Sequence, residues 1–385
     1  MPIFDQGYQH WSGTLSGHTW RWYAISRHGV RLDMKNWFLR LFLLFAWVPA
    51  VVLAAMLCIW GLVEQGSSLV AVVTPFLSGL FGQQALADPK GHRIEVWTLA
   101  YWVFLNWELW LSMILILLVG PNLISGDMRF NAMPLYFSRP VRRIDYFFGK
   151  LGVVGYFLGM VLIVPSLLAY ALGLLFSLDF SIIRDTFPIL LASIGYCAVI
   201  IVSTDLFVLA LSTLSRNSRY IALLWIGVWF VSSVAADVLE IIHEQDSRRQ
   251  RSQVAYQQYP QTALPGRAPG FNQEEQRQQM LAQMEARRKA LAEVEQQERE
   301  RAMTDWRPMA SYTANLRRIG QTLIGSNASW EKLSSEMPED QRNQYLRQHL
   351  GPRYPWYWSA GVLIVLMGLS ACLLNYRVKS MDRLK

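Results

Sequence analysis

The sequence predicts an all-α integral membrane protein of six transmembrane helices, with an N-terminal interfacial helix and a helical extracytoplasmic insertion between helices 5 and 6. Three observations lead there. Of 385 residues, 52% are hydrophobic and only 17% charged, against roughly 25% charged in a soluble domain. The apolar residues gather into six runs longer than a soluble core helix uses, and a hydrocarbon core about 30 Å thick takes about 20 residues of helix. Lys and Arg crowd into alternate connections between those runs, as positive-inside topology requires.

Residues 1–36 form a cytoplasmic N-terminal segment. Within it, residues 18–36 mix Trp20, Trp22, Tyr23, Ile25 and Val30 with Arg21, Arg27, Arg31 and Lys35. That composition suits an amphipathic helix lying at the membrane surface; an aromatic, basic flank to the first span is the simpler alternative. The first residues lack the basic-then-apolar pattern and small-residue cleavage site of a secretory signal, so the first run is expected to be a retained span.

The runs are Trp37 to Leu62, Trp97 to Leu123, Phe147 to Phe176, Phe187 to Leu214, Tyr220 to His243 and Pro355 to Tyr376. Five of them, with their connections, occupy residues 37–243, and the sixth belongs to a last segment, 354–385, that ends in a short tail. The three cysteines, Cys58, Cys197 and Cys372, lie inside the runs, where a thiol packs as a small apolar group. The segments before the first run, at 125–150, at 215–219 and after the last run carry fifteen Lys and Arg, whereas the other two short connections carry Lys90, Arg93 and Arg184. Both termini are therefore expected in the cytoplasm of a multi-pass protein of the cell membrane, in a bacterium the cytoplasmic (inner) membrane. The net charge of +8 follows from that topology and does not point to nucleic acid.

Residues 244–353 differ in composition, with seventeen basic and fourteen acidic residues. Alternation of spans puts them outside the cytoplasm as a water-exposed insertion. A stretch rich in Glu, Gln, Arg, Ala and Leu from about Asn272 to Met303 reads as a helix with a thin apolar stripe at Met280, Met284, Leu291 and Val294.

Ionisable groups inside an apolar run are costly and mark functional candidates. Glu108, beside Asn106, lies midway along the second run, and Asp205 lies in the fourth; these three residues line a polar path or fix helix packing. Asp237, Glu240 and His243 stand at helical spacing at the end of the fifth run, as interfacial residues or a weak cation site. No two histidines are spaced as metal ligands on a helix, and no GxSxG nucleophile elbow occurs. Gly149-Lys150 has Ile144 where a phosphate loop needs glycine. The chain itself is thus expected to bind no cofactor and to be no enzyme. Gly149, Gly152, Gly155 and Gly159 give the third run a small-residue face of the kind that admits close helix packing.

The connection at 125–150 is short, basic and held by Pro134 and Pro140, which restrict the residues before them. Met133, Leu135, Tyr136 and Phe137 offer apolar groups for a cleft on a partner, and Arg139, Arg142 and Arg143 offer charges for its rim. The whole segment from Asn122 to Gly152 resembles the corresponding cytoplasmic loop of ABC-2-type permeases, the membrane subunits of ATP-binding-cassette exporters. The likeness rests on the turn Ser125, Gly126, Asp127, Arg129, the string Ser138, Arg139, Pro140, Val141, Arg143, and the entry Phe148, Gly149, Lys150. It extends to the six-span layout over residues 18–243 and 355–385, while the insertion departs from compact members.

The resemblance implies a permease subunit that forms the substrate path of an exporter of a lipid-like, peptide or drug-like substrate. Its partners would be an ATP-binding-cassette ATPase subunit, which holds the ATP and Mg, and a second permease copy or homologue. It also implies that the loop is the coupling element, through Asp127, Arg129, Met133, Leu135, Tyr136, Phe137, Arg139, Arg142 and Arg143. Membrane lipid and an extracytoplasmic protein are further expected partners. The rival reading is a non-transporting membrane anchor or scaffold that presents the extracytoplasmic domain.

Overall fold

The computed structural model describes residues 20–67, 86–132, 142–177, 181–239, 303–335 and 354–382, with isolated positions at 75, 136, 241–242, 245, 281–282, 296, 342, 346 and 350–351. The described residues are helical, without strands. Six helices are long and apolar enough to cross a membrane: Trp37–Glu64, Arg93–Arg129, Arg143–Phe176, Ser181–Ser212, Ser218–Leu239 and Trp356–Arg377. Helix is the form such segments must take, because each backbone polar group has to be satisfied within its own segment once water is absent.

Helix α1 covers Arg21–Asp33. Span 1 is built from α2, Trp37–Ala46, and α3, Val48–Glu64. Asn36 starts α2 by accepting a hydrogen bond from the Phe38 amide at 3.0 Å, the usual service of an N-cap side chain. Span 2 contains α4, Arg93–Val119, which continues through a short 3₁₀ turn into α5, Ser125–Arg129. Span 3 is α6, Arg143–Phe176, and span 4 is α7, Ser181–Ser212. Span 5 opens with α8, Ser218–Ile226, capped by Asn217 on the Arg219 amide at 3.1 Å, and passes through a π-helical turn at Gly227–Val231. Span 6 is the last helix, reached after two short ones described next.

In spans 2 and 4, 61% of the most apolar window is buried, against 28% in spans 1 and 5 and 22% in span 6. Spans 2 and 4 are therefore the centre of the bundle, and the others surround them. The centre is rich in aromatic residues. Trp97 stacks edge-on against Tyr170 at 5.7 Å, Tyr101 donates to the Ser166 carbonyl at 2.9 Å, and the Trp225 indole donates to the Met113 carbonyl at 2.9 Å, joining span 5 to span 2.

One expectation changes here. The insertion is not wholly exposed to water: α9, Tyr312–Ile324, packs on spans 4 and 6, and α10, Ser326–Ser334, packs on span 2. Tyr312, Leu316, Trp330 and Leu333 are all buried. Ser311 caps α9 on the Ala314 amide at 3.2 Å, and Gly325 (φ 77°) makes the left-handed turn between the two helices, a conformation that glycine adopts without steric cost. Gly320 lets α9 seat on the Tyr196 ring: a Cβ there would stand 2.4 Å from Tyr196 Cζ. Ser334 is fully buried. Helix α11, Trp356–Asp382, closes the bundle as span 6. The Glu- and Gln-rich stretch at 272–303 lies almost entirely outside the described residues.

The end of the bundle that carries α1, α5 and the 213–217 turn is called the basic end below, and the opposite one the far end.

Candidate functional site

At the basic end, the chain folds back on itself around one carboxylate. Asp127 of α5 accepts a hydrogen bond from the Tyr146 hydroxyl at 2.6 Å and an ion pair from Lys150 at 2.7 Å. Both partners sit in the first two turns of α6, so the carboxylate ties the exit of span 2 to the entrance of span 3. Lys150 also lies 5.6 Å over the Tyr146 ring, and Tyr136 stacks on that ring at 5.2 Å. Burial and the neighbouring Asp127 both raise the Tyr136 hydroxyl above its ordinary value. The Arg142 amide donates to the Asp145 carboxylate at 3.1 Å, which starts α6 cleanly.

Helix α1 lies against the same two turns. A Cβ on Gly149 would stand 2.7 Å from Ile25 Cβ and 3.0 Å from the Trp22 carbonyl, and one on Gly152 would stand 2.6 Å from Ser26 Oγ. The small-residue face expected of the third run is thus used, in part, to seat α1. Burial pushes the Asp33 carboxyl up to about 6, with Lys150 pulling the other way. Because that value lies above the ordinary 3.8, the contribution of Asp33 to docking is full below about pH 3.8 and is lost as pH rises through about 6.

Of the residues expected to couple to a partner, Asp127 and Tyr136 belong to this knot. Arg129 and Arg142 are exposed and Arg143 is half-buried; Arg129 lies 5.6 Å over the Phe130 ring. Met133, Leu135, Phe137 and Arg139 lie outside the described residues. Of the trio at the end of span 5, Asp237 is exposed, and Glu240 and His243 are likewise outside. No group of three His, Cys, Asp or Glu among the described residues could hold a metal ion.

The candidates inside the bundle stand in different surroundings. Glu108 is fully buried, and neither of its oxygens has a hydrogen-bond partner among the described residues; it lies within electrostatic reach of Cys197 on span 4. Asn106 Oδ1 is likewise buried without a hydrogen-bond partner among the described residues. Asp205 is further along span 4 and faces Gly155 of span 3. Eight residues of helix separate Cys197 from Asp205, about 12 Å, so the structure does not bring the two acids together at one point.

Two polar groupings escaped the sequence reading. Between spans 4 and 5, the Tyr312 hydroxyl stands 3.2 Å from both Ser203 and Thr204, and Ser233 lies 2.8 Å from Thr313 and 3.1 Å from Ser311. These hydroxyls are how α9 holds on inside the bundle. The far end has an ionic joint. Arg93 binds both Glu64 oxygens, at 2.9 and 2.8 Å, and reaches Asp185 at 3.2 Å and Ser181 at 3.0 Å. It unites spans 1, 2 and 4, and the Arg93 and Glu64 side chains are 3% and 4% exposed. Beside it, Lys332 of α10 pairs with Glu95 of span 2. The one available signal was the coincidence of Glu64, Arg93 and Asp185 at three span ends, which acquires meaning only once the helices are placed side by side.

Comparison of the sequence with protein-family models and with curated proteins gives no match.

Proposed function

We propose that this chain is the membrane-spanning permease subunit of an ATP-binding-cassette exporter, with both termini and the 125–150 connection in the cytoplasm. The observation that carries the reading is the Asp127–Tyr146–Lys150 knot. A coupling element has to transmit displacement from a partner to the spans, and a connection fastened to two spans within about two turns of each end does so with little slack. The knot falls within the segment that resembles the permease coupling loop. The six apolar helices supply the scaffold for a substrate path, and ATP and Mg would reside on the partner ATPase. A scaffold without transport needs no such fastening.

The test is co-purification of the partner ATPase together with its stimulated ATP hydrolysis. An apolar anchor buried in a partner pocket typically contributes about 2 kcal/mol or more, whereas a rim charge contributes little. Leu135→Asp combined with Phe137→Asp should abolish co-purification while the permease remains inserted, and Arg142→Ala should weaken it by less than tenfold. Retention of the ATPase and of stimulated turnover in the double variant would rule out this loop as the coupling element.

The orientation is tested separately. Ser335 is exposed at the end of α10, next to buried Ser334. In a background with Cys58, Cys197 and Cys372 replaced by alanine, Ser335→Cys should react with a membrane-impermeant maleimide in intact cells, and Ser334→Cys should stay protected. Labelling of Ser335→Cys only after lysis would invert the topology.

A further inference from the structure

Beside Asp205, the seam between spans 3 and 4 has a form that helix packing leaves unexplained. Asp205 is 6% exposed, and its Oδ1 has no hydrogen-bond partner among the described residues. Its Oδ2 points at the bare backbone of Gly155: a Cβ built there would lie 3.2 Å from it, with Ile201 Cγ2 at 3.9 Å as the other neighbour within 4 Å. One turn further along the same face, a Cβ on Gly159 would meet nothing within 4 Å. Both glycines are half-buried, so the groove opens at the surface of the bundle. The nearby hydroxyls of Ser203, Thr204 and Tyr312 are engaged with one another.

We propose that Asp205 and the Gly155–Gly159 groove bind the positively charged head of an amphiphilic amine, with its apolar tail lying along the groove. A carboxylate within a membrane span is costly unless a cation answers it, and no side chain described around Asp205 supplies one. A metal ion is a poor match, since hard cations require several oxygen ligands and the groove offers one carboxylate among glycine and isoleucine. An organic cation needs one charge contact and an apolar slot, and the two missing side chains provide the slot. Glu108 differs, because it is fully buried on span 2 and stands near Cys197, at a different level of the bundle from Asp205. The inference deepens the permease reading by naming a substrate class, and rests on it for transport but not for binding.

The experiment uses the full chain, purified and held in lipid nanodiscs without any ATPase, with NBD-labelled dodecylamine as fluorescent probe and NBD-labelled dodecanol as its uncharged counterpart. The wild-type chain should bind the amine saturably and the alcohol at least tenfold more weakly. Asp205→Asn should weaken amine binding at least tenfold, and Asp205→Glu should keep most of it. Gly159→Leu, whose Cβ would meet nothing within 4 Å, puts a side chain into the groove and should also weaken binding tenfold, so the test stands even if one variant misfolds on gel filtration. Equal amine affinity in Asp205→Asn and wild type, or no saturable binding by wild type, would overturn the site. Co-purification of the ATPase with Asp205→Asn should be unchanged. Failure of any ATPase to co-purify with the wild-type chain, with amine binding intact, would instead sink the permease reading and leave the site standing.

Discussion

Replacing Arg93 with Met should cost about 3–5 kcal/mol of stability, the range expected when one member of a buried ion pair is removed and its partner is left charged. Glu64 is 4% exposed in its side chain, and both of its oxygens are held by the guanidinium. Asp185 also loses a bond, but its side chain is 39% exposed and water replaces the contact. The loss therefore falls on spans 1 and 2, whose far ends the pair joins. Thermal unfolding of the purified chain, followed by gel filtration with fluorescence detection, should show it as a lowered midpoint. The double variant Arg93→Met with Glu64→Gln should recover much of the loss, because no buried charge is then left unanswered. A single variant that loses less than about 1 kcal/mol would show that this pair behaves as a surface pair.

Gly149→Leu should unseat α1. Its Cβ alone would stand 2.7 Å from Ile25 Cβ and 3.0 Å from the Trp22 carbonyl, and backbone cannot rotate away as a flexible side chain can. Overpacking a close contact costs about 1–3 kcal/mol even when neighbours adjust, and here the simplest adjustment is for α1 to lift off α6. Arg21, Arg27 and Arg31 of α1 should then be cut by trypsin in the purified protein at least tenfold faster than in wild type. Gly195→Ala serves as control, since a Cβ at Gly195 would meet nothing within 4 Å. On the permease reading proposed above, ATPase stimulation should fall in parallel with the loss of α1, because Lys150, which holds Asp127, lies one residue from the seat. Unchanged proteolysis in Gly149→Leu would mean that α1 is held by something other than this glycine contact.

The sequence by itself determined the six helices long and apolar enough to cross a membrane, because hydrophobic run length reports directly on the thickness of the solvent a segment must cross. It also singled out Glu108 and Asp205, since a charge in an apolar run is visible without knowing its neighbours. The glycine face of the third run was legible as a contact surface, but not its occupant: Gly149 and Gly152 receive α1, whereas Gly155 faces Asp205. What α9 does was hidden altogether. Its polar residues Asn315, Arg317, Arg318 and Gln321 read as a water-exposed segment, and the buried stripe through Tyr312, Leu316 and Gly320 is too short to stand out from that background. Only the tertiary structure decided that Tyr312 meets Ser203 and Thr204 from more than a hundred residues away, that Arg93 answers Glu64 and Asp185, and that Tyr146 and Lys150 close on Asp127. The physical reason is common to all three: hydropathy is a property of a segment against its solvent, whereas a hydrogen bond or ion pair between segments depends on which helix faces lie together.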